Sequence, residues 1–322
     1  MEIFVTVLLF IVGIVLVVKG GDWFVDAASW IAEVSGIPKL IIGATVVSVA
    51  TTLPEMLVSV MAAVDGKVDM SIGNAVGSVT ANIGLIMALS LIFMPSVIKR
   101  RDYLTKSILM LVAAAVIVAC GLTGSISLWF CVGLLVIFGI FIYENVASAR
   151  RNMLENKNAE KEEVQKDGKT VFINIAKFIV GAAGIVVGAR LLVDNASELA
   201  RLFGISERII GVTIVAVGTS LPELITTLTA IRKKQSDLSV GNIIGANIMD
   251  LTLIMPLSSI ISGKALPVES MQTAILDLPA ALVVGAIAVV PALIQKKFSR
   301  WQGITLLSVY IIYLILTCFV MG

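Results

Sequence analysis

Thr51-Thr52-Leu53-Pro54-Glu55 and Thr219-Ser220-Leu221-Pro222-Glu223 are one five-residue phrase written twice, 168 positions apart, each in a stretch otherwise almost free of charge. The same offset holds outward without a gap, from Ile11-Val12-Gly13 against Ile179-Val180-Gly181 to Leu89-Ser90 against Leu257-Ser258. In between, Val25-Asp26 meets Val193-Asp194, Gly36-Ile37 meets Gly204-Ile205, Gly43 meets Gly211, and Thr45 meets Thr213. Gly73-Asn74 likewise meets Gly241-Asn242, and Gly77 meets Gly245. A register this long marks a duplicated and fused unit.

What surrounds the repeat is apolar. Hydrophobic residues make up 58% of the 322, charged ones 14%, and the mean hydropathy is +1.02, which leaves a soluble fold too little polar surface. Apolar runs of membrane length recur at 4–34, 39–64, 70–95, 104–120, 125–146, 171–201, 208–231, 238–261, 272–294 and 302–320. The expected fold is therefore an all-α polytopic membrane protein of ten transmembrane helices, five per repeat. An odd number of spans makes the second copy enter the bilayer from the opposite side, giving inverted repeats, the architecture of secondary transporters. The expected division is 1–146 for the first repeat, with its motif region at 43–90, a linker at 147–170, and 171–322 for the second, with its motif region at 211–258.

Basic residues fix the expected orientation. Lys39, Lys99, Arg100, Arg101, Lys106, the cluster from Arg150 to Lys169, Arg232, Lys233, Lys234, Lys296, Lys297 and Arg300 fall on one side; Lys67, Arg201, Arg208 and Lys264 fall on the other. The positive-inside rule then makes the linker cytoplasmic and both termini extracytoplasmic, in a multi-pass protein of the cell (inner) membrane. The net charge of +2 follows from this topology and calls for no nucleic acid. The linker reads as a solvated connection by composition. The first apolar run lacks a basic leader and holds Lys19, Asp22 and Asp26, unlike a cleaved signal peptide. At about 45 Å it exceeds the hydrocarbon thickness, so it and its counterpart, the sixth span, are expected to tilt or project.

Cys120, Cys131 and Cys318 lie singly in apolar spans and read as buried thiols, and histidine is absent. Any metal must then be held by oxygen. The absence of a Ser/His, Cys/His or histidine-rich metal arrangement also argues against an enzyme.

Glu55 and Glu223 sit near the middle of their spans, where a carboxylate is costly and by default functional. The plain alternative is an acid held neutral or paired to a base, yet no Lys or Arg lies at comparable depth in the second, third, seventh or eighth span. Pro54 and Pro222 lack an N–H, which frees the carbonyls of Ala50 and Gly218, and broken helices at mid-membrane expose such carbonyls as ligands. Thr51 and Thr219 lie one turn before the glutamates, with the hydroxyls of Thr52 and Ser220 beside them. Carboxylate, hydroxyl and carbonyl together suit a hard cation.

The third and eighth spans carry polar stripes at four-residue spacing: Asn74, Ser78 and Asn82, and Asn242, Ala246 and Asp250. For Asn74 and Asn242, hydrogen bonding between helices competes evenly with ion binding, and Gly73-xxx-Gly77 and Gly241-xxx-Gly245 suit close helix approach. Asp250 is a third unpaired acid and reads as an ion ligand. Lys19 with Asp22, and Arg190 with Asp194, are expected to pair along their helices. Asp26 sits near the cytoplasmic interface, and Asp277 has no assignable partner.

GATVVSVATTLPE with GNAVGSVTANIG, and GVTIVAVGTSLPE with GNIIGANIMD, closely resemble the two alpha repeats of the calcium/cation antiporter superfamily, and within it the prokaryotic sodium/calcium exchanger branch. Proton/calcium exchangers usually carry a glutamate where this chain has Gly77 and Gly245. The resemblance implies a calcium site made by Glu55 and Glu223 with the carbonyls of Thr51 and Thr219. It also implies sodium sites using these glutamates, the hydroxyls of Thr52, Ser220 and Ser78 and the carbonyls of Ser48 and Ala216, with Asn82 and Asp250 at the centre. Ca2+ and Na+ are then transported ions rather than cofactors, and the lipid bilayer and inorganic cations are the expected partners, with no organic cofactor or protein partner. Departures from the family pattern are Ala246 for a serine, Thr52 for serine and Ala50 for glycine.

The expected activity is secondary antiport of Ca2+ against Na+ by alternating access, in which the long first and sixth helices slide against the other eight. A proton-coupled or potassium-dependent antiporter of the same fold is the alternative. A passive channel fits an inverted repeat with mid-membrane carboxylates less well.

Overall fold

The computed structural model describes residues 2–95, 100–155, 167–204, 216–268 and 270–319. The elements are α1 (Glu2–Ser35), α2 (Lys39–Val64), α3 (Val68–Phe93), α4 (Arg100–Leu122), α5 (Leu128–Glu155), α6 (Gly168–Leu202), α7 (Leu221–Arg232, preceded by the short turn Ala216–Thr219), α8 (Ser236–Ser262), α9 (Thr273–Gln295) and α10 (Arg300–Phe319). Nine helices among the described residues are long and apolar enough to cross a membrane. The expected span at 208–231 lies partly outside the described residues; α7 is its second half. Helices suit such a sequence, because in lipid each backbone N–H and C=O needs a protein partner and an apolar run of about 20 residues supplies them all within one helix.

Helix α5 runs on to Glu155, and α6 starts at Gly168 with the Asp167 side chain accepting from the Thr170 amide as an N-cap. Helix thus takes up both ends of the segment expected to be linker.

Burial sorts the helices into a centre and a flank. Within the most apolar stretch of each, α8 is 83% buried and α3 72%, whereas α1 and α6 are 22% and 17%. A core of side chains such as Ile72, Ile83, Leu91, Ile117, Leu134, Ile243, Leu251 and Val284 unites α3, α4, α5, α8 and α9. A smaller cluster built on Phe24, Val25, Ala28, Val47 and Ile185 seats α1 and α6 against it. The outer face of α1, with Phe4, Leu8, Ile11 and Val15 exposed, has the chemistry of a lipid-facing surface.

At about 50 Å α1 exceeds the hydrocarbon thickness, as expected. It lies antiparallel along α6, and glycines set the crossing. A Cβ on Gly13 would stand 3.0 Å from the Gly188 carbonyl oxygen, and one on Gly20 2.8 Å from that of Gly181. Gly181 and Gly188 are the repeat counterparts of Gly13 and Gly20, so the contact reads the same from either half. A tighter seam joins α2 to α8, where a Cβ on Gly241 would meet the Leu40 oxygen at 2.2 Å and one on Gly245 the Ala44 oxygen at 2.5 Å. Gly73 and Gly77 meet nothing within 4 Å among the described residues. We expect Gly241→Ala to cost about 1–3 kcal/mol by overpacking, read as a lowered melting temperature of the detergent-solubilised protein, with Gly73→Ala the milder of the two.

The expected ion pair between Lys19 and Asp22 does not form. Asp22 turns instead to Arg232 and Lys233 at the end of α7, and Lys233 also reaches Asp26. Two cations held at one turn offer a carboxylate more than a single neighbour on its own helix does. Arg190 and Asp194 pair as expected, at 3.9 Å and largely exposed. Asp277 has a partner in α10, the Tyr313 hydroxyl, which donates to it at 3.0 Å. Cys120 and Cys131 are buried free thiols; the side chain of Cys318 lies outside the described residues.

Candidate functional site

Four helices bring the sequence-selected polar residues together. Helix α2 supplies Ser48, Thr51, Thr52 and Glu55; α7 and its preceding turn supply Thr219, Ser220 and Glu223; α3 supplies Ser78 and Asn82; α8 supplies Asp250. Glu55, Glu223, Asp250 and Asn82 have no solvent exposure, and Ser48, Thr51, Thr52, Ser78 and Ser220 are buried with them. Ala216 opens the short turn before α7; its side chain lies outside the described residues.

The two proline motifs fold differently. Ser220 leaves helical geometry at φ −89, ψ 9, and α7 starts anew with Pro222 in its first turn, where a missing N–H costs nothing. Pro54 instead sits inside an unbroken helix, Ser48–Val64, so the break expected at both motifs occurs at one. The Ala50 carbonyl still lacks a helical partner, because proline has no N–H to give.

The repeats clasp each other through these motifs. Ser220 Oγ donates to Glu55 Oε1 at 2.9 Å, and Thr52 Oγ1 donates to Glu223 Oε1 at 3.3 Å. Thr52 and Ser220 are counterparts, as are Glu55 and Glu223, so the two bonds are images of one another. Each glutamate keeps its second oxygen, Oε2, without a hydrogen-bond partner. Both carboxyl oxygens of Asp250, both amide atoms of Asn82 and the Ser78 hydroxyl are also without one, and Ser78 lies beside the Glu55 carboxyl. Among the described residues no Lys or Arg pairs with any of the three acids.

Two asparagines act as the packing alternative expects. Asn74 Nδ2 donates to Ser59 Oγ at 2.8 Å and to the Glu55 carbonyl at 3.2 Å, tying α3 to α2. Asn242 Oδ1 accepts from Thr51 Oγ1 at 3.2 Å, tying α8 to α2. The Thr51 hydroxyl is also within reach of the Ser48 carbonyl, at 3.3 Å. Its proton is therefore spoken for by protein oxygens.

One feature has no signal in residue type or spacing. Helices α3 and α8 both widen into π turns, Asn82–Met87 and Asp250–Ile254, which start on counterpart residues. Such turns misalign the backbone ladder and recur at functional sites. Each one begins at a fully buried polar residue, and Asp250 lies close enough to both glutamates to interact with them electrostatically. A further π turn, Thr273–Asp277, carries Asp277 outside this cluster.

A bound cation or a proton on the acids would satisfy the unpartnered carboxyl oxygens. Buried carboxylates without cations or donors are too costly to leave so, and the available oxygens, carboxylate, amide and hydroxyl, suit a hard cation. Among the described residues no group of three or more Asp, Glu, Cys or His side chains is placed to hold a metal ion, so a cation here would draw on neutral oxygens as well as carboxylates.

Comparison with known proteins gives concordant results. A family profile described as sodium/calcium exchanger protein matches residues 5–146 and 173–319. An uncharacterized membrane protein of Methanocaldococcus jannaschii is 35% identical over 303 residues, covering 94% of this chain and 95% of the relative. The sodium/calcium exchanger MaX1 of Methanosarcina acetivorans is 28% identical over 358 residues, covering 98% and 99%. Among solved structures, the sodium-calcium exchanger NCX_Mj soaked with Na+ and Sr2+ superimposes with a TM-score of 0.81 at 31% identity, over 96% of this chain and 98% of that one.

Proposed function

The chain belongs to the sodium/calcium exchanger family, and within it we propose that this protein exchanges Ca2+ for Na+ by alternating access through a site built on Glu55 and Glu223. The observation that carries this reading is the pair of reciprocal bonds between the repeats, which leaves Glu55 Oε2 and Glu223 Oε2 unpartnered, together with an unpaired Asp250. Calcium takes both glutamates and nearby carbonyls, those of Thr51 and Thr219 first. Sodium ions take the same carboxylates with the hydroxyls of Thr52, Ser220 and Ser78 and the carbonyls of Ser48 and Ala216. Asn82 and Asp250 stand at the centre.

Electrostatics provides the coupling. Bringing up to three carboxylates into a closed low-dielectric site without counter-ions is prohibitive, whereas one calcium or several sodium ions neutralise them. Only the loaded carrier then crosses between access states. The peripheral pair α1 and α6 moves, and α2–α5 with α7–α10 form the framework. Residues 1–146 and 171–322 act as the two inverted units, with both termini extracytoplasmic and the linker cytoplasmic, as the basic residues dictate.

Reconstituted vesicles loaded with Na+ should take up Ca2+ when the sodium gradient is imposed, and should do so without a proton or potassium gradient. Uptake driven by protons alone would replace Na+ as the counter-ion, and sodium-driven uptake that strictly requires K+ would add K+ to the cycle; both outcomes leave the glutamate site in place.

Ala246 bears on the sodium arm. It is fully buried on α8 where its counterpart, Ser78, offers a hydroxyl. Loss of one neutral oxygen ligand is worth about 1 kcal/mol, or about fivefold in affinity. Ala246→Ser is accordingly expected to lower the sodium concentration for half-maximal exchange about fivefold with little change for calcium. An unmoved sodium half-saturation would place position 246 away from any sodium ion.

A further inference from the structure

Where α1 passes the end of α7, the two helices are joined by charge. Lys233 Nζ lies 2.7 Å from Asp26 Oδ1, 2.8 Å from the Asp22 carbonyl oxygen and 3.5 Å from Asp22 Oδ1, and Arg232 also pairs with Asp22. The ammonium thus makes one hydrogen bond, to the Asp22 carbonyl, and two ion pairs, all with one helix. The side chains of Lys233 and Asp22 are 23% and 24% exposed, whereas Asp26 and Arg232 are 54% and 58% exposed, so the cluster is shielded only on its Lys233–Asp22 side. The same step of α1 is pressed against α7: a Cβ on Gly21 would stand 2.8 Å from Thr229 Oγ1.

The second repeat has no copy of this arrangement. The counterparts of Arg232 and Lys233 are Val64 and Asp65, which bring no positive charge, and the counterparts of Asp22 and Asp26 are Arg190 and Asp194, which pair with each other along α6. Among the described residues this ionic tie between α1 and α7 therefore has no counterpart between α6 and α2. It lies at the end with most of the basic residues.

We propose that the Asp22/Asp26–Arg232/Lys233 cluster is a latch that holds α1 against α7 and keeps the basic end of the ion pathway closed. This rests on the alternating-access reading above. Glu223 lies on the same helix α7, less than three turns from Arg232, and α1 is packed along the stretch between them, with Gly21 against Ile225 and Thr229. For the site to open there, α1 must part from α7 and the cluster must break. The latch thus weights the two access states unequally, and the apparent affinity on the closed side is lowered by the fraction of carriers open to it.

The test is sided calcium binding and exchange, measured in inside-out and right-side-out vesicles for the full-length protein and for Asp22→Asn/Asp26→Asn. Neutralising the acids leaves the basic residues that set topology in place. Half-saturation by Ca2+ on the basic side is expected to fall about threefold to tenfold, the size of a few partly shielded ion pairs, and on the opposite side to stay constant or rise. Lys233→Gln should act in the same direction, and Lys233→Arg, which keeps the charge, should leave the original sidedness nearly in place. Equal changes on both sides, or a lowered melting temperature with unchanged sided affinities, would reduce the cluster to a structural brace. Absence of Na+-, H+- or K+-driven calcium flux in the unmodified protein would instead remove the exchange reading itself.

Discussion

Glu55→Gln and Glu223→Gln are each expected to abolish calcium flux in proteoliposomes while the chain remains folded and inserted. Each glutamate has one oxygen bonded to a hydroxyl of the opposite repeat and one without a hydrogen-bond partner. An amide can keep the first contact, but it replaces the unpartnered anionic oxygen with a neutral group. Removing one partner of a buried charge cluster costs about 3–5 kcal/mol, which is about two to three and a half decades in affinity.

Protein stability supplies a second readout that does not depend on flux. Without ions the unmodified protein must hold its acids in apolar surroundings, so either Gln variant should melt no lower than the parent in chelator. Added Ca2+ should raise the parent's melting temperature by mass action and leave that of the variants nearly unchanged. Near-normal flux in either variant would remove the two-glutamate site. A variant that melts early even in chelator would show that the carboxylate is needed for the fold.

The fold was legible largely because membranes allow so few solutions. The constant offset between the two halves, the recurring apolar spans and the odd number of spans per repeat led to ten helices in inverted halves, and the long first and sixth spans appear as the peripheral pair α1 and α6. The polar residues at mid-span, Glu55, Glu223, Asp250, Asn82 and Ser78, could be chosen because each is expensive where it stands. The structure brings them to four neighbouring helices.

What could not be read depends on backbone detail or on contacts between distant segments. Pro54 and Pro222 are the same residue in the same phrase, yet only the second begins a new helix, since the outcome depends on how the preceding turn is held. The π turns at Asn82 and Asp250 leave residue spacing unchanged. A partner for Asp22 was expected on its own helix, where spacing rules apply, and it lies instead 210 positions away on Arg232. The Tyr313 hydroxyl that meets Asp277 was similarly out of reach, although both are polar residues within apolar spans and could have been considered together.

Asp250→Asn is the second change expected to act strongly, and its direction follows from the repeat. Asp250 and Asn82 are counterparts, both fully buried, both with two unpartnered polar atoms, and both at the start of a π turn. They differ by one oxygen and one charge, and Asn82 already shows that an amide fits this geometry. Asn at 250 should therefore be tolerated by the fold. The substitution takes the cluster from three acids to two, which calcium with Glu55 and Glu223 can still balance but which a set of monovalent ions balances with fewer members. Counter-ion dependence should change more than calcium binding does. An interaction with a charged group is worth about 1.5–3 kcal/mol, so the sodium concentration for half-maximal exchange, or the pH of half-maximal exchange if protons are the counter-ion, should move by about one to two decades in ion concentration. The steepness of the sodium dependence should fall as well. Measured against the Gln variants of the two glutamates, the calcium affinity of Asp250→Asn should be much the less impaired. If sodium and pH dependence are both unchanged, Asp250 belongs to the helix-packing framework, and the coordination of the central position rests on Asn82 and backbone oxygens alone.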